Sequence, residues 1–428
     1  MADLSVSFAG IRSPNPFWLA SGPPTNTGEQ IIRAFEHGWG GAVWKTLGHE
    51  RDEIVNVSSR LGALRGPGGR LVGMNNLELI SDRPTRENLS EIEEVKRRFP
   101  DRAVIASIMT GERWQWEELI RQCEQAGADG LELNFGCPHG MCERGLGAAI
   151  GQDLHAIETI TGWAKAAARK PVLVKLTPNV ADIRDPARAA VRAGADGLSL
   201  INTIRSLMGV DLERLVPYPI VDGKSSHGGF AGPAVKPVAL FMIASLARDP
   251  AVHRPLSGIG GIYNWRDAAE FLVLGATTVQ VCAGAMIGGY RIVRDMREGL
   301  EDWLDESGRG SCSAVIGAAL PQVVDWNDLN LSYRVVARID AGRCIGCQRC
   351  YPACRDGGHQ AIRLPEEITP GVTVRTHGVA HRIPRIDEER CVGCNLCTLV
   401  CPVPGAVEMQ PVDQGRAPET WAARTARR

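Results

Sequence analysis

The sequence predicts an α/β chain: a (β/α)₈ TIM barrel over residues 1–301, a connector over 302–334, and a small α+β domain over 335–428 that binds metal through cysteine. Two observations carry this. Short apolar runs alternate eight times with amphipathic stretches, and eight of the thirteen cysteines fall in two runs of identical spacing near the end. A length of 428 residues with 44% hydrophobic content is core enough for two domains.

The eight strand candidates, in order, are "PFWLASG", "GAVWKTLG", "AVIASIM", "GLELNFGCP", "VLVKLTPN", "GLSLINTI", "LSGIGGI" and "TVQVCAGA". Between them, "WEELIRQCEQAGAD", "DPARAAVRAGAD" and "WRDAAEFLVLGAT" read as helices that stop at a glycine and feed a parallel strand. An open doubly wound sheet is the weaker alternative. Barrel chemistry sits at the carboxyl ends of the strands, which makes Ser21, Lys45, Asn134, Lys175, Asn202 and Gly260 the first candidates. Two long connections, residues 48–76 and 205–232, are expected to wall the site.

"CIGCQRCYPAC" and "CVGCNLCTLVCP" both carry the C-x₂-C-x₂-C-x₃-C spacing of a two-cluster, ferredoxin-like [4Fe–4S] domain. In that arrangement Cys344, Cys347 and Cys350 hold one cluster with Cys401, while Cys391, Cys394 and Cys397 hold the other with Cys354. Zinc is the weaker reading, because its sites usually separate two cysteine pairs by a longer loop. Arg355 follows Cys354 where Pro402 follows Cys401, which touches only the local turn.

Such clusters pass one electron at a time, so a barrel joined to them calls for a flavin to convert single electrons into a two-electron step. Glycine turns at Gly232, Gly260 and Gly261, and the turn at Cys282 and Ala283, would let backbone approach a phosphate. Lys175 and Lys45 are lysines in apolar strands, each readable as a flavin contact or as a salt bridge at the rim. No G-x-G-x-x-G unit of the dinucleotide-binding kind is apparent, so NAD(P)H would have to meet another protein. The net charge of −1 favours neither nucleic acid nor a membrane surface. With no basic leader and no apolar run of spanning length, a cytoplasmic chain is expected.

"NPFWLASGPPTN", "GWGGAVWKTLG", "NLELIS", "ELNFGCPHGM", "KLTPN", "INTI", "GKSS" and "SGIGGI", together with the paired cysteine runs, resemble the FMN and iron–sulfur subunits of bacterial NAD-dependent dihydropyrimidine dehydrogenases. The resemblance covers nearly the whole chain and implies reversible reduction of uracil or thymine to the 5,6-dihydro base. It implies flavin contacts at Ser21, Lys45, Thr46, Lys175, Gly232, Ile259, Gly260, Gly261, Cys282 and Ala283, and base contacts at Asn76, Asn134, Asn202 and Thr203. It also implies a partner subunit carrying FAD and the NADH site, in a hetero-oligomer that contains more than one copy of this chain. Where the animal enzyme has serine, this chain has Gly136.

Within that reading, hydride delivered to C6 of the base leaves an anion that needs a proton at C5 from the opposite face. Cys137 is placed to supply it. A thiol titrating just above neutrality would serve as acid in one direction and base in the other. Amides offer both donor and acceptor, so asparagines are the expected readers of the base. Cys142 and Asn179 read as structural, and His139 as either a loop anchor or a proton carrier. The alternatives are dihydroorotate oxidation by the same barrel, an RNA-modifying enzyme of the dihydrouridine synthase kind, which the charge balance disfavours, and a pure electron carrier.

Overall fold

The computed structural model describes residues 1–364, 373–376 and 379–427. They divide into two compact units, Met1–Val323 and Val324–Arg428.

The first unit is a closed barrel of eight parallel strands in chain order: β1 (Phe17–Leu19), β2 (Gly41–Leu47), β3 (Ala103–Ile108), β4 (Gly130–Asn134), β5 (Val172–Lys175), β6 (Gly197–Leu200), β7 (Leu256–Ile259) and β8 (Ala276–Val281). Each of the eight apolar runs contributes one strand. All seven residues of β2 and all six of β3 are buried, because a parallel strand lies between the barrel interior and a helix and has no wet face. Helices α1 (Arg113–Gln125), α2 (Arg184–Arg192) and α3 (Trp265–Val273) stop at Gly127, Gly194 and Gly275, with φ of +90°, +94° and +105°. A side chain at that left-handed turn would be strained, so the glycine turns the chain into the next strand.

A short antiparallel hairpin, Val6–Phe8 with Ile11–Ser13, packs Phe8 with Trp18, Val43, Ile105 and Leu173. Elsewhere the barrel strands carry Glu132, Ser199, Ser257, Thr278 and Gln280, all fully buried. The two long connections are more ordered than walls of loop: they pair into one antiparallel sheet, in the order Ile204–Ser206, Gly228–Ala231, Leu71–Asn76, Leu61–Arg65. The chain after the helix Ile292–Glu306 stays with the barrel, burying Cys312 and Val315 in its core, and the second unit begins at Val324.

In the second unit Val335–Ile339 pairs with Val407–Pro411, and Ile362–Arg363 with Arg385–Ile386. Helices Cys350–Gly357 and Leu396–Leu399 start within the two cysteine runs. Among the described residues no helix is long and apolar enough to cross a membrane.

Candidate active site

At the carboxyl ends of the strands lies a cavity of about 1150 Å³, open mouth included. All of the residues named above as flavin or base contacts line it, as do Cys137 and His139. Glu78, Phe230, Gln280 and Met286 line it too and were not anticipated.

Two buried lysines define its electrostatics. Lys45 Nζ sits 2.5 Å from Glu78 Oε1, which Arg60 Nη1 also reaches at 2.8 Å. Lys175 Nζ lies 3.4 Å from Glu132 Oε1, and both side chains are at least 95% buried. The choice between salt bridge and cavity contact thus dissolves, since each lysine is ion-paired and faces the cavity. Among the described residues no arginine lines it.

The asparagines are held by loop backbone. Asn76 Oδ1 accepts from Glu78 N (2.7 Å), Asn134 Oδ1 from Gly136 N (3.1 Å) and from Asn202 Nδ2 (3.0 Å), and Asn202 Oδ1 from Thr203 N (2.8 Å). A backbone N–H can only donate, so these bonds fix each amide's orientation. Asn134 Oδ1 thus uses both of its lone pairs, while Asn76 and Asn202 each keep one lone pair on oxygen, and each nitrogen keeps at least one N–H to spare. Asn134 Nδ2 uses its other hydrogen on Thr46 Oγ1 (2.9 Å), which is tied in turn to Ser21 Oγ (3.1 Å). A Cβ built on Gly136 would fall 2.4 Å from Asn202 Cβ, so the bare glycine is what lets Asn202 lie against Asn134. Asn179 lies outside the cavity lining and bonds Thr177 Oγ1, the Thr203 carbonyl and Arg205 N, as a turn residue does.

Cys137 is 8% exposed, with its Sγ 3.5 Å from the His139 carbonyl. Burial pushes its thiol up to about 11, which corrects the expectation of a thiol titrating just above neutrality. The thiol therefore stays protonated across neutral pH: it is present as an acid, though a weak one, and must lose its proton before it can act as a base. His139 bonds the Glu78 carbonyl through Nε2 (3.1 Å), while its buried Nδ1 has no partner. Burial lowers its pKa, so the ring is neutral. Cys142 accepts from Arg205 Nη2 at 3.4 Å, a structural contact.

The residues fit a flavin. Gly232, Gly260 and Gly261 have φ of +108°, +129° and +75°, and a Cβ at Gly261 would fall 2.7 Å from Lys236 Cβ. Only glycine makes such a cradle, in which backbone N–H groups can approach a phosphate. Lys175, whose three donors meet a single carboxylate oxygen at 3.4 Å, and Gln280, whose Oε1 has no donor, both await a polar partner.

In the second unit one cavity is lined by Cys344, Cys347, Cys350 and Cys401, and another by Cys354, Cys391, Cys394 and Cys397. Each run lends its fourth cysteine to the other cage. The thiols surround a space, as the corners of a four-iron cube require. Among the described residues no three ligating side chains gather closely enough for a single ion.

Residues 3–304 match the dihydroorotate dehydrogenase family, and residues 337–409 the 4Fe-4S dicluster domain. The chain is 44% identical over 367 residues to the NAD-dependent dihydropyrimidine dehydrogenase subunit PreA of Escherichia coli (strain K12), covering 85% of this chain and 88% of that protein. It is 42% identical over 337 residues to the chloroplastic dihydropyrimidine dehydrogenase (NADP(+)) of Arabidopsis thaliana, covering 76% and 79%. To the catalytic subunit of dihydroorotate dehydrogenase B (NAD(+)) of Pyrococcus abyssi it is 36% identical over 323 residues, which cover 99% of that protein but 74% of this chain.

Proposed function

The chain belongs to the dihydroorotate dehydrogenase family, and from that premise we propose that it is the catalytic subunit of a dihydropyrimidine dehydrogenase, reducing uracil or thymine reversibly at the 5,6 double bond. The observation that carries this reading is the set of three asparagines, each oriented by loop backbone with an N–H free, beside a buried thiol. Such donors suit a base with carbonyl oxygens at two ring positions. Orotate would bring a further negative charge into a cavity whose Lys45 is already paired with Glu78 and whose Lys175 is given over to the flavin.

FMN, when bound, would supply hydride chemistry at C6 of the base, and two [4Fe–4S] clusters would supply single electrons. This chain's residues do the rest. Asn76, Asn134, Asn202 and Thr203 fix the ring, and Ser21, Lys45, Thr46, Lys175, Ile259, Cys282 and Ala283 shape the flavin's bed. Gly232, Gly260 and Gly261 cradle its phosphate. Cys137 gives its proton to C5 from the face opposite the hydride, and burial keeps that proton in place until the anion forms. In the reverse direction the thiol must first lose its proton, so base oxidation is favoured by alkali. Electrons come from NADH through a partner subunit that carries FAD.

The test is side-by-side turnover of uracil and orotate by the purified, flavin-loaded chain with a reduced viologen as donor. Uracil reduction with negligible orotate turnover is expected. Preference for orotate would replace this reading with dihydroorotate chemistry.

A further inference from the structure

A barrel of this class fills its interior with layers of branched aliphatic side chains. Here five polar side chains from four strands stand among them, all fully buried: Glu132 on β4, Ser199 on β6, Ser257 on β7, and Thr278 and Gln280 on β8. Their hydrogen bonds form one chain. Thr278 Oγ1 donates to Ser257 Oγ at 2.8 Å, and that oxygen also accepts from Gln280 Nε2 at 3.2 Å. Gln280 Nε2 (3.3 Å) and Ser199 Oγ (2.7 Å) both donate to Glu132 Oε2.

The other oxygen of Glu132 accepts no hydrogen bond and instead faces Lys175 Nζ at 3.4 Å. Lys175 lines the cavity and Glu132 does not, so the carboxylate lies behind the lysine and touches no ligand. Stability alone is a poor reason for such a pair. Desolvating two charges offsets most of their attraction, and apolar residues of similar size often serve as well. What the pair supplies is a cation at the cavity wall with its field partly balanced and its direction set.

We propose that Glu132 is a positioning residue: a buried counter-charge, tied down by Ser199 and Gln280, that aims the Lys175 ammonium at the cavity and limits how strongly it favours negative charge on the flavin. The inference rests on reading the cavity as an FMN site. Reduction places negative charge on the pyrimidine half of the ring, so a cation beside it raises the flavin's reduction potential, and a carboxylate behind that cation moderates the rise.

The test is potentiometric titration of the flavin absorbance in the FMN-loaded chain. Glu132→Gln, nearly equal in size, should move the flavin potential upward, and Lys175→Met should move it downward. Adding Glu132→Gln to Lys175→Met should give a smaller shift than Glu132→Gln gives in the parent, because only the carboxylate's own more distant field is then lost and no lysine remains to be aimed. Glu132→Asp, which keeps the charge, should fall between the parent and Glu132→Gln. An unchanged potential in Glu132→Gln, or an equal shift with and without Lys175, would overturn the proposal. Should Glu132→Gln fail to fold, Ser199→Ala unties the carboxylate and leaves every charge in place. It should shift the potential in the parent and not in Lys175→Met, and no shift in the parent would also overturn the proposal. Flavin content is measured first, and a parent chain that takes up no FMN would overturn the reading of the cavity and this inference with it.

Discussion

The barrel unit and the cysteine unit differ in what holds them together. The barrel has a continuous aliphatic and aromatic core, including Trp39, Trp44, Trp116 and Phe271 at zero exposure, and its site is a set of side chains projected from that scaffold. Among the described residues of the second unit, the buried cluster has seven members, three of them the cysteines Cys350, Cys354 and Cys397, with Ala337, Ala361, Ile362 and Val407 beside them. In the first unit the fold makes the site. In the second the metal is expected to make much of the fold, because so small an apolar core supplies little stability and ligand binding becomes folding free energy.

Removing iron should therefore break the symmetry most. Anaerobic chelation, or Cys344→Ser with Cys391→Ser, is expected to make the 324–428 unit sensitive to protease while the barrel stays resistant and keeps its FMN. Limited proteolysis read by mass spectrometry checks this. Equal loss of both units would mean that the barrel leans on the clusters. About eight irons per chain are expected before chelation, from two four-iron clusters.

Cys137→Ala should act in the opposite sense, sparing both folds and the flavin while lowering pyrimidine reduction on the order of 10² to 10⁴-fold, the usual range for a lost general acid. Steady-state rates beside flavin absorbance separate the two effects. Because the thiol is pushed up to about 11, the proton donor is present below that pH and lost only as pH rises through it. Reduction should be level across neutral and mildly alkaline pH, where an ordinary thiol at about 8.5 would already be titrating. Oxidation of the dihydro base should climb through the same range. A reductive rate that falls by half near pH 8.5 would place the acid on another group.

The smallest expected effect is at Gly136. Serine there would push Asn202 off Asn134, and losing one such hydrogen bond, about 0.5–1.5 kcal/mol, should raise KM for uracil roughly twofold to tenfold with kcat nearly unchanged. A fall in kcat alone would tie Gly136 to the proton path instead.

The eight strands were legible because strands buried on both faces leave unbroken apolar runs, and the strand-end residues followed from barrel geometry. The sheet over the cavity was not legible, since its strands are short, rich in glycine at Gly73, Gly228 and Gly229, and exposed along Leu61–Arg65. Glu132 and Gln280 left a signal that passed unread: a polar residue inside "LEL" or "VQV" must be buried if the strand is. The free N–H groups of the asparagines and the raised thiol pKa arise from loop backbone and tertiary burial, neither of which has a sequence pattern.

The division of labour between the two units is tested most directly by the electron source. The purified chain, with FMN and both clusters, should reduce uracil with reduced viologen and be nearly inert with NADH until a flavoprotein carrying FAD and a nicotinamide site is added. Robust NADH-dependent uracil reduction by this chain alone, free of any contaminating flavoprotein, would contradict the account, because the barrel would then take hydride directly and the cysteine unit would have no part in supplying it.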